Sequence, residues 1–154
     1  MVGQWWSVIL TSAAPISELR GGIPLAMAGF HWPWWQAFVV AVLANWLSSV
    51  GWLGFLVVGA DWARRKIKLI DKFLNWLYAR TQAKHEKSFA RWGSLALIIF
   101  IGIPLPMTGA WSGAVAAVIF GIPWRRALWL LLAGIVAAGV IVTLVTASAM
   151  GLVL

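Results

Sequence analysis

Uncharged apolar residues fall in four long blocks along this chain, and the way polar residues interrupt them predicts its elements. The first block, Trp5 to Gly29, is broken by Pro15-Ile16-Ser17-Glu18-Leu19-Arg20-Gly21-Gly22-Ile23-Pro24. Two complete membrane spans need about 40 residues, at about 20 each, and the block is too short for them. One straight span would set Glu18 and Arg20 in mid-membrane, inside a helix broken at Pro24. A re-entrant hairpin fits better. Two arms of about 10 residues each rise about 15 Å, half of a hydrocarbon core about 30 Å thick. Irregular backbone at such a tip is tolerated where it is buried in protein or faces water. A water-exposed turn between two short apolar helices is the plainer alternative. The second block, Ala37 to Ala60, carries no charge and predicts a spanning helix. Its Asn45, Ser48, Ser49, Gly51 and Gly54 suit close helix packing or a polar lining. The third block, Ser94 to Gly121, is again broken: arms Ser94–Ile103 and Ala114–Phe120 flank Pro104-Leu105-Pro106-Met107-Thr108-Gly109-Ala110-Trp111-Ser112-Gly113. The fourth, Ala127 to Leu154, is uncharged and long enough to cross, with some tilt.

The polar stretches between the blocks orient them. His31 to Gln36 holds three tryptophans and no Lys or Arg, which predicts an outer interface. Asp61 to Trp92 alternates instead. Ala63, Ile67, Ile70, Leu74 and Leu77 recur at steps of three or four, with Lys66, Lys68, Asp71, Lys72 and Asn75 between them. That pattern predicts an amphipathic helix on the membrane surface. Arg125 and Arg126 mark a further interface.

Composition agrees. The chain has 154 residues, 62% hydrophobic and 10% charged, more apolar surface than a soluble domain can hide. The net charge of +8 raises the question of nucleic acid. All the Lys and Arg except Arg20 lie in the stretches 64–91 and 125–126, which is the distribution of cytoplasmic loops. Anionic lipid headgroups are the expected counter-charge, and no nucleic-acid partner is expected. Cysteine is absent, and His31 and His85 lack motif spacing, so neither a metal site nor a cofactor is expected. Met1 to Ala14 has no basic residue, so the N-terminus is expected to stay in the fold rather than act as a signal peptide.

The halves resemble each other. Pro15 to Gly22 lies over Pro106 to Gly113 as Pro, apolar, hydroxyl, three variable, small, Gly. Phe30-His31-Trp32-Pro33-Trp34 is matched by Phe120-Gly121-Ile122-Pro123-Trp124, with Ala37 and Ala127 following at the same distance. Counting crossings, a hairpin returns to its own side and the helix after it crosses once, so the second hairpin enters from the opposite side. The expected fold is an all-α integral membrane protein of one domain, 1–154. It is an inverted repeat of two units, 4–60 and 94–154, joined by a cytoplasmic amphipathic helix within 61–93. Each unit is a re-entrant helical hairpin plus one transmembrane helix, and both termini lie outside. Inverted repeats with broken helices near the midplane are a secondary-transporter plan.

"PISELRGGIPL" followed by "IPLPMTGAWSGA" resembles the small multidrug export protein family of bacteria and archaea, over nearly the whole chain. The resemblance implies two re-entrant hairpins in inverted repeat, a transport role and a cytoplasmic-membrane location. It also implies kinship with the DedA/VTT superfamily, whose members are associated with proton-dependent lipid-carrier or phospholipid translocation. By position it carries over Pro15, Glu18, Arg20, Gly21, Gly22 and Pro24 in the first tip. In the second it carries over Pro104, Pro106, Thr108, Gly109, Trp111 and Gly113. Met107 departs from the glycine expected before Thr-Gly, and the second acid–arginine set of DedA proteins is missing.

An ionisable pair in an apolar segment costs about 2.5–3.5 kcal/mol per charge on insertion scales and marks a functional site by default. Desolvation favours the neutral form of such a carboxylate and a nearby cation favours the charged form, so Glu18 is a candidate proton-coupling group. Positions i and i+2 do not face each other on a regular helix, so Glu18 and Arg20 meet only if the tip is irregular. Otherwise Arg20 offers its planar donor fork to a phosphate or carboxylate. Ser17, Thr108 and Ser112 offer hydroxyls, and Trp111 a wall or a cation-attracting face. Half-helix N-termini near the tips favour an anionic group. The expected activity is proton-coupled export of a small amphiphilic or anionic, lipid-phosphate-like substrate. A cationic multidrug exporter and a structural membrane protein locked by Glu18 and Arg20 are the alternatives. No nucleophile–base pair lies close in sequence, so an enzyme is not expected. The thin wall around any pathway predicts a homodimer or higher oligomer among membrane lipids.

Overall fold

The computed structural model describes residues 2–66, 86–103 and 109–151. Among them it is all-helical. The first apolar block folds as two half-length helices, α1 (Val2–Ala13) and α2 (Glu18–Pro24), the latter continued by a π-helical turn, Leu25–Gly29. Then come α3 (Trp34–Lys66), α4 (Glu86–Gly102), α5 (Ala110–Ile119) and α6 (Trp124–Ala149). The second block is broken like the first, between α4 and α5. Its Pro104, Pro106, Met107 and Thr108 lie outside the described residues.

α1 has 12 residues and rises about 18 Å, short of a bilayer. The windows Trp34–Gly59 and Trp124–Ala149, 26 residues each, are long and apolar enough to cross one. α3 does not stop at Ala60. It runs unbroken to Lys66, and α4 starts at Glu86, ahead of the expected Ser94. No Pro or Gly punctuates 60–66, so nothing local ends the helix where the charges begin. The amphipathic helix expected over Asp61–Trp92 otherwise falls mainly outside the described residues.

Pro24 explains the π-turn. Lacking an N–H and crowding the preceding turn, proline disrupts the regular ladder. Beyond it the backbone widens until Phe30 N donates to Leu25 O, five residues back, at 3.1 Å. The links that follow the two short inner helices match in detail. His31 and Gly121 both take positive φ, 57° and 66°. Ala37 N donates to Pro33 O at 3.1 Å and Ala127 N to Pro123 O at 2.9 Å, so each long helix starts just after a proline. Ala37 and Ala127 are both fully buried.

α3 and α6 pack on each other at the centre. α1 packs on α3 as α4 packs on α6; α2 reaches across to α6 as α5 reaches across to α3. Exchanging the halves leaves this set of contacts unchanged. Lipid gives no hydrophobic drive between helices, so close backbone approach has to hold them. The buried face of α5 is accordingly made of small residues, Ala110, Gly113, Ala114 and Ala117, and that of α6 sets Ala127, Gly134, Ala138 and Gly139 beside Leu131 and Ile135. A Cβ on Gly113 would lie 2.6 Å from Ile101 Cδ1 of α4, and one on Gly134 2.6 Å from Ile101 Cβ, so both helices close on one isoleucine. Gly22 of α2 likewise sits on Ser12 of α1, with 3.0 Å from its virtual Cβ to Ser12 Cβ. Gly51 and Gly54 differ from expectation. A Cβ on either would meet nothing within 4 Å, so within one chain they face outward beside the exposed Leu47, Phe55 and Val58.

Candidate functional site

α5 begins without a cap of its own. The first amides of a helix have no intrahelical acceptor, and a side-chain oxygen at the N-cap usually supplies one. Here the N-cap is Gly109, with no side chain to offer. The acceptor comes from the other half of the chain: Trp111 N donates to Glu18 Oε1 at 3.3 Å, and Ala110 N donates to the same carboxylate. The N-terminal end of a helix is also its positive end, so charge and hydrogen bonding act together.

Gly109 has to be glycine for this contact. It adopts φ 154° and ψ −169°, a region closed to residues with a Cβ. A Cβ there would lie 2.6 Å from Glu18 Oε1 and 2.7 Å from Cδ, and would overlap Oε2. Glu18 is strained in turn, with φ 46° at the first position of α2. Positive φ in a non-glycine residue costs of order 1–3 kcal/mol and persists where the surroundings demand it. In the sequence match between the tips, Glu18 and Gly109 are equivalent positions. The structure brings these two equivalents face to face.

Glu18 is 6% exposed. Asn45 of α3, fully buried, presents its side-chain amide to the carboxylate. Its Nδ2 nevertheless makes no hydrogen bond of good geometry, while Ser49 Oγ donates to Asn45 O at 2.7 Å. Arg20 is half-buried and its charge acts on Glu18; the irregular backbone at Glu18 lifts the regular-helix bar on an i, i+2 interaction. Trp111 is tilted against Trp52 of α3, with centroids 4.7 Å apart, and Trp52 stacks on Phe55 at 5.4 Å. The buried indole nitrogens of Trp52 and Trp111 have no acceptor. The site is therefore one carboxylate among hydrogen-bond donors, walled by indoles.

The remaining predicted residues take supporting places. Ser17 Oγ donates to Thr11 O at 2.6 Å and Ser48 Oγ to Ala13 O at 2.8 Å, so two hydroxyls satisfy carbonyls at the C-terminal end of α1. Ser112 Oγ donates to Gly109 O at 3.2 Å, within the tip. Pro15 is exposed in the turn between α1 and α2, Gly21 packs against Ser17 and Thr11, and Gly22 and Gly113 hold inner to outer arms. Among the described residues no three His, Asp or Glu side chains gather that could hold a metal ion. Sequence reasoning missed Trp52 and gave Asn45 only a packing or lining role. The one signal for Asn45 was a carboxamide in a span without charge; nothing marked Trp52 among 13 tryptophans.

No curated protein and no solved structure matches the chain. The family model described as "Putative small multi-drug export protein" matches residues 18–141, a stretch that opens on Glu18 and contains Asn45, Gly109 and Trp111. By that match over most of its length, the chain belongs to the small multi-drug export protein family.

Proposed function

We propose that the protein is a proton-coupled exporter of the cytoplasmic membrane in which Glu18 carries the proton and the α1–α2 and α4–α5 pairs are re-entrant hairpins. The observation that carries the reading is the contact of the Glu18 carboxylate with the first amides of α5. It joins the two halves through one titratable group, so protonation acts directly on the joint between them. A family of small exporters supports the activity. The symmetric contact set and the matched links support two halves related by a pseudo-two-fold axis in the membrane plane, the plan of many secondary transporters. The basic stretches then face the cytoplasm and both termini the outside.

Donor groups outnumber acceptors around Glu18, which favours a substrate with an anionic head and an apolar body, a phosphate lipid or similar amphiphile. Arg20, whose charge already acts at the site, is the side chain to meet that head. A second reading, export of hydrophobic cations, draws on the Trp52–Trp111 pair beside the carboxylate. The outward Gly51 and Gly54 on α3 offer a face where a second copy approaches closely, in keeping with a homodimer. The test is pH-driven transport in proteoliposomes. Glu18→Gln should abolish it while the protein stays folded, and retained pH-driven transport would remove Glu18 from the role. Wild type and Arg20→Ala, screened against anionic lipids and cationic dyes, decide between the substrate classes: loss of anion binding alone supports the first.

A further inference from the structure

Asn45, Ser48 and Ser49 fall within one turn of α3, in a span that is otherwise apolar. Ser48 is bound to α1, through Ala13 O. Asn45 and Ser49 are completely buried and form a chain that ends on Glu18. Ser49 Oγ donates to Asn45 O at 2.7 Å and lies 3.5 Å from Asn45 Oδ1. The Asn45 side-chain amide is turned as a donor to the Glu18 carboxylate. With Oδ1 on the side of Ser49, Nδ2 is the end that meets the carboxylate, as an ionised Glu18 requires.

A protonated Glu18 reverses that requirement. Its O–H is a donor, and it would then oppose the donor end of Asn45. The amide resolves the conflict by turning over about its terminal torsion, which is roughly two-fold, so the turned side chain fills the same space. Oδ1 then accepts the Glu18 O–H. Nδ2 donates to Ser49 Oγ, whose own hydrogen stays on Asn45 O. Each of these buried donors has an acceptor in both states. Leucine at 45 would serve neither state, and aspartate would set a second acid against the first. The other Glu18 oxygen still accepts from Trp111 N, so the cap on α5 weakens without being lost.

We propose that Asn45 and Ser49 are positioning residues for the proton on Glu18: the Asn45 amide turns over when Glu18 is protonated, and Ser49 holds the turned amide. One proton is bound, at a Glu18 oxygen, and no other covalent bond changes. The proposal rests on the reading of Glu18 as the group that carries the proton. Charged groups on the packed elements are few. α1, the π-helical turn and α5 carry none, and α2 contributes Arg20, whose charge acts on Glu18. α3 carries charge only from Asp61 onward, and α6 has Arg125 and Arg126 in its exposed first turn.

The experiment is solution NMR of the full chain in neutral detergent micelles, with asparagine isotope-labelled at its side-chain nitrogen. The asparagines of the chain are Asn45 and Asn75, so an Asn75→Gln variant assigns the Asn45 amide signals. Across a pH titration these signals should move through one transition, and Glu18→Gln should remove it. At the acid end the Asn45 amide protons should show nuclear Overhauser contacts to Ser49 Hβ; at the alkaline end contacts to Glu18 Hγ should replace them. Ser49→Ala takes a partner from the acid state alone, because the bond to Asn45 O is common to both. The midpoint should therefore fall by about half to one pH unit, roughly a three- to tenfold loss of proton affinity. Ser49→Thr keeps the hydroxyl and should keep the wild-type midpoint. Asn45 signals that ignore Glu18, contacts that do not exchange, or an unmoved midpoint in Ser49→Ala overturn the proposal. If Ser49→Ala is not obtained folded, the contacts in wild type decide alone. No gradient is used, so a static Asn45 beside Glu18-dependent transport would sink the amide exchange and leave the exporter reading standing. A turning amide without transport would do the reverse.

Discussion

Replacing Gly109 with alanine tests the joint between the halves directly. Two costs add. The backbone conformation, φ 154° and ψ −169°, admits a Cβ only with strain of about 1–3 kcal/mol. The new methyl would also stand 2.6 Å from Glu18 Oε1, so the carboxylate has to withdraw from Ala110 N and Trp111 N. A hydrogen bond to a charged group contributes about 1.5–3 kcal/mol. Losing even one brings the total to about 2.5–6 kcal/mol. The second cost exists only while Glu18 is present. In a Glu18→Ala background, Gly109→Ala should therefore cost only the backbone part. A double-mutant cycle, measured by denaturation in detergent micelles, should give a coupling energy of about 2 kcal/mol or more. Sites without contact add to within about 0.3–0.5 kcal/mol. Coupling that small would mean that the carboxylate does not rest on Gly109, and the account of the site would fail with it.

The packing of α4 makes a sharper pair of substitutions. Gly113→Ala meets Ile101 Cδ1 and Cγ1, atoms that Ile101→Ala removes, so that change should recover most of an overpacking loss of about 1–3 kcal/mol. Gly134→Ala meets Ile101 Cβ, which alanine keeps, and should not be recovered; equal recovery of both in thermal unfolding would contradict the geometry. Because the chain has no cysteine, single-cysteine labelling reads topology cleanly. Trp35→Cys should react with an impermeant reagent from outside intact cells and Arg125→Cys only after permeabilisation; labelling of both from one side would refute the inverted arrangement. Gly51→Leu with Gly54→Leu should weaken cross-linking between copies without lowering the melting temperature of the single chain, and unchanged cross-linking would move the dimer face elsewhere.

Much of the fold was legible because membranes leave few options. Blocks too short to span twice and broken by proline and glycine gave the short helices α1, α2 and α5, with α4 longer than its expected arm, and uncharged blocks gave the two long ones. Where the charges began proved a poor guide to where a helix ends. α3 continues to Lys66 because helix termination depends on backbone signals, which that stretch lacks. Glu18 stood out as the lone acid in an apolar half. Its partners did not, because backbone amides have no signature in a sequence and Asn45 and Trp52 reach the site only through the packing of α3.

The order of apolar and charged residues was sufficient to determine an all-helical membrane protein with two broken blocks, a repeated link and a lone acid at the first break. What no linear reading could supply is that the acid of one tip caps the helix of the other. That pairing joins residues 18 and 109–111, which lie in opposite halves of the chain, and α2 and α5 make it by each reaching the opposite long helix. The physical reason is the general one for sites buried between packed helices. Spacing along the chain fixes which residues share a helix face, whereas the donor that satisfies a buried charge is chosen by which helices can approach closely enough to offer it.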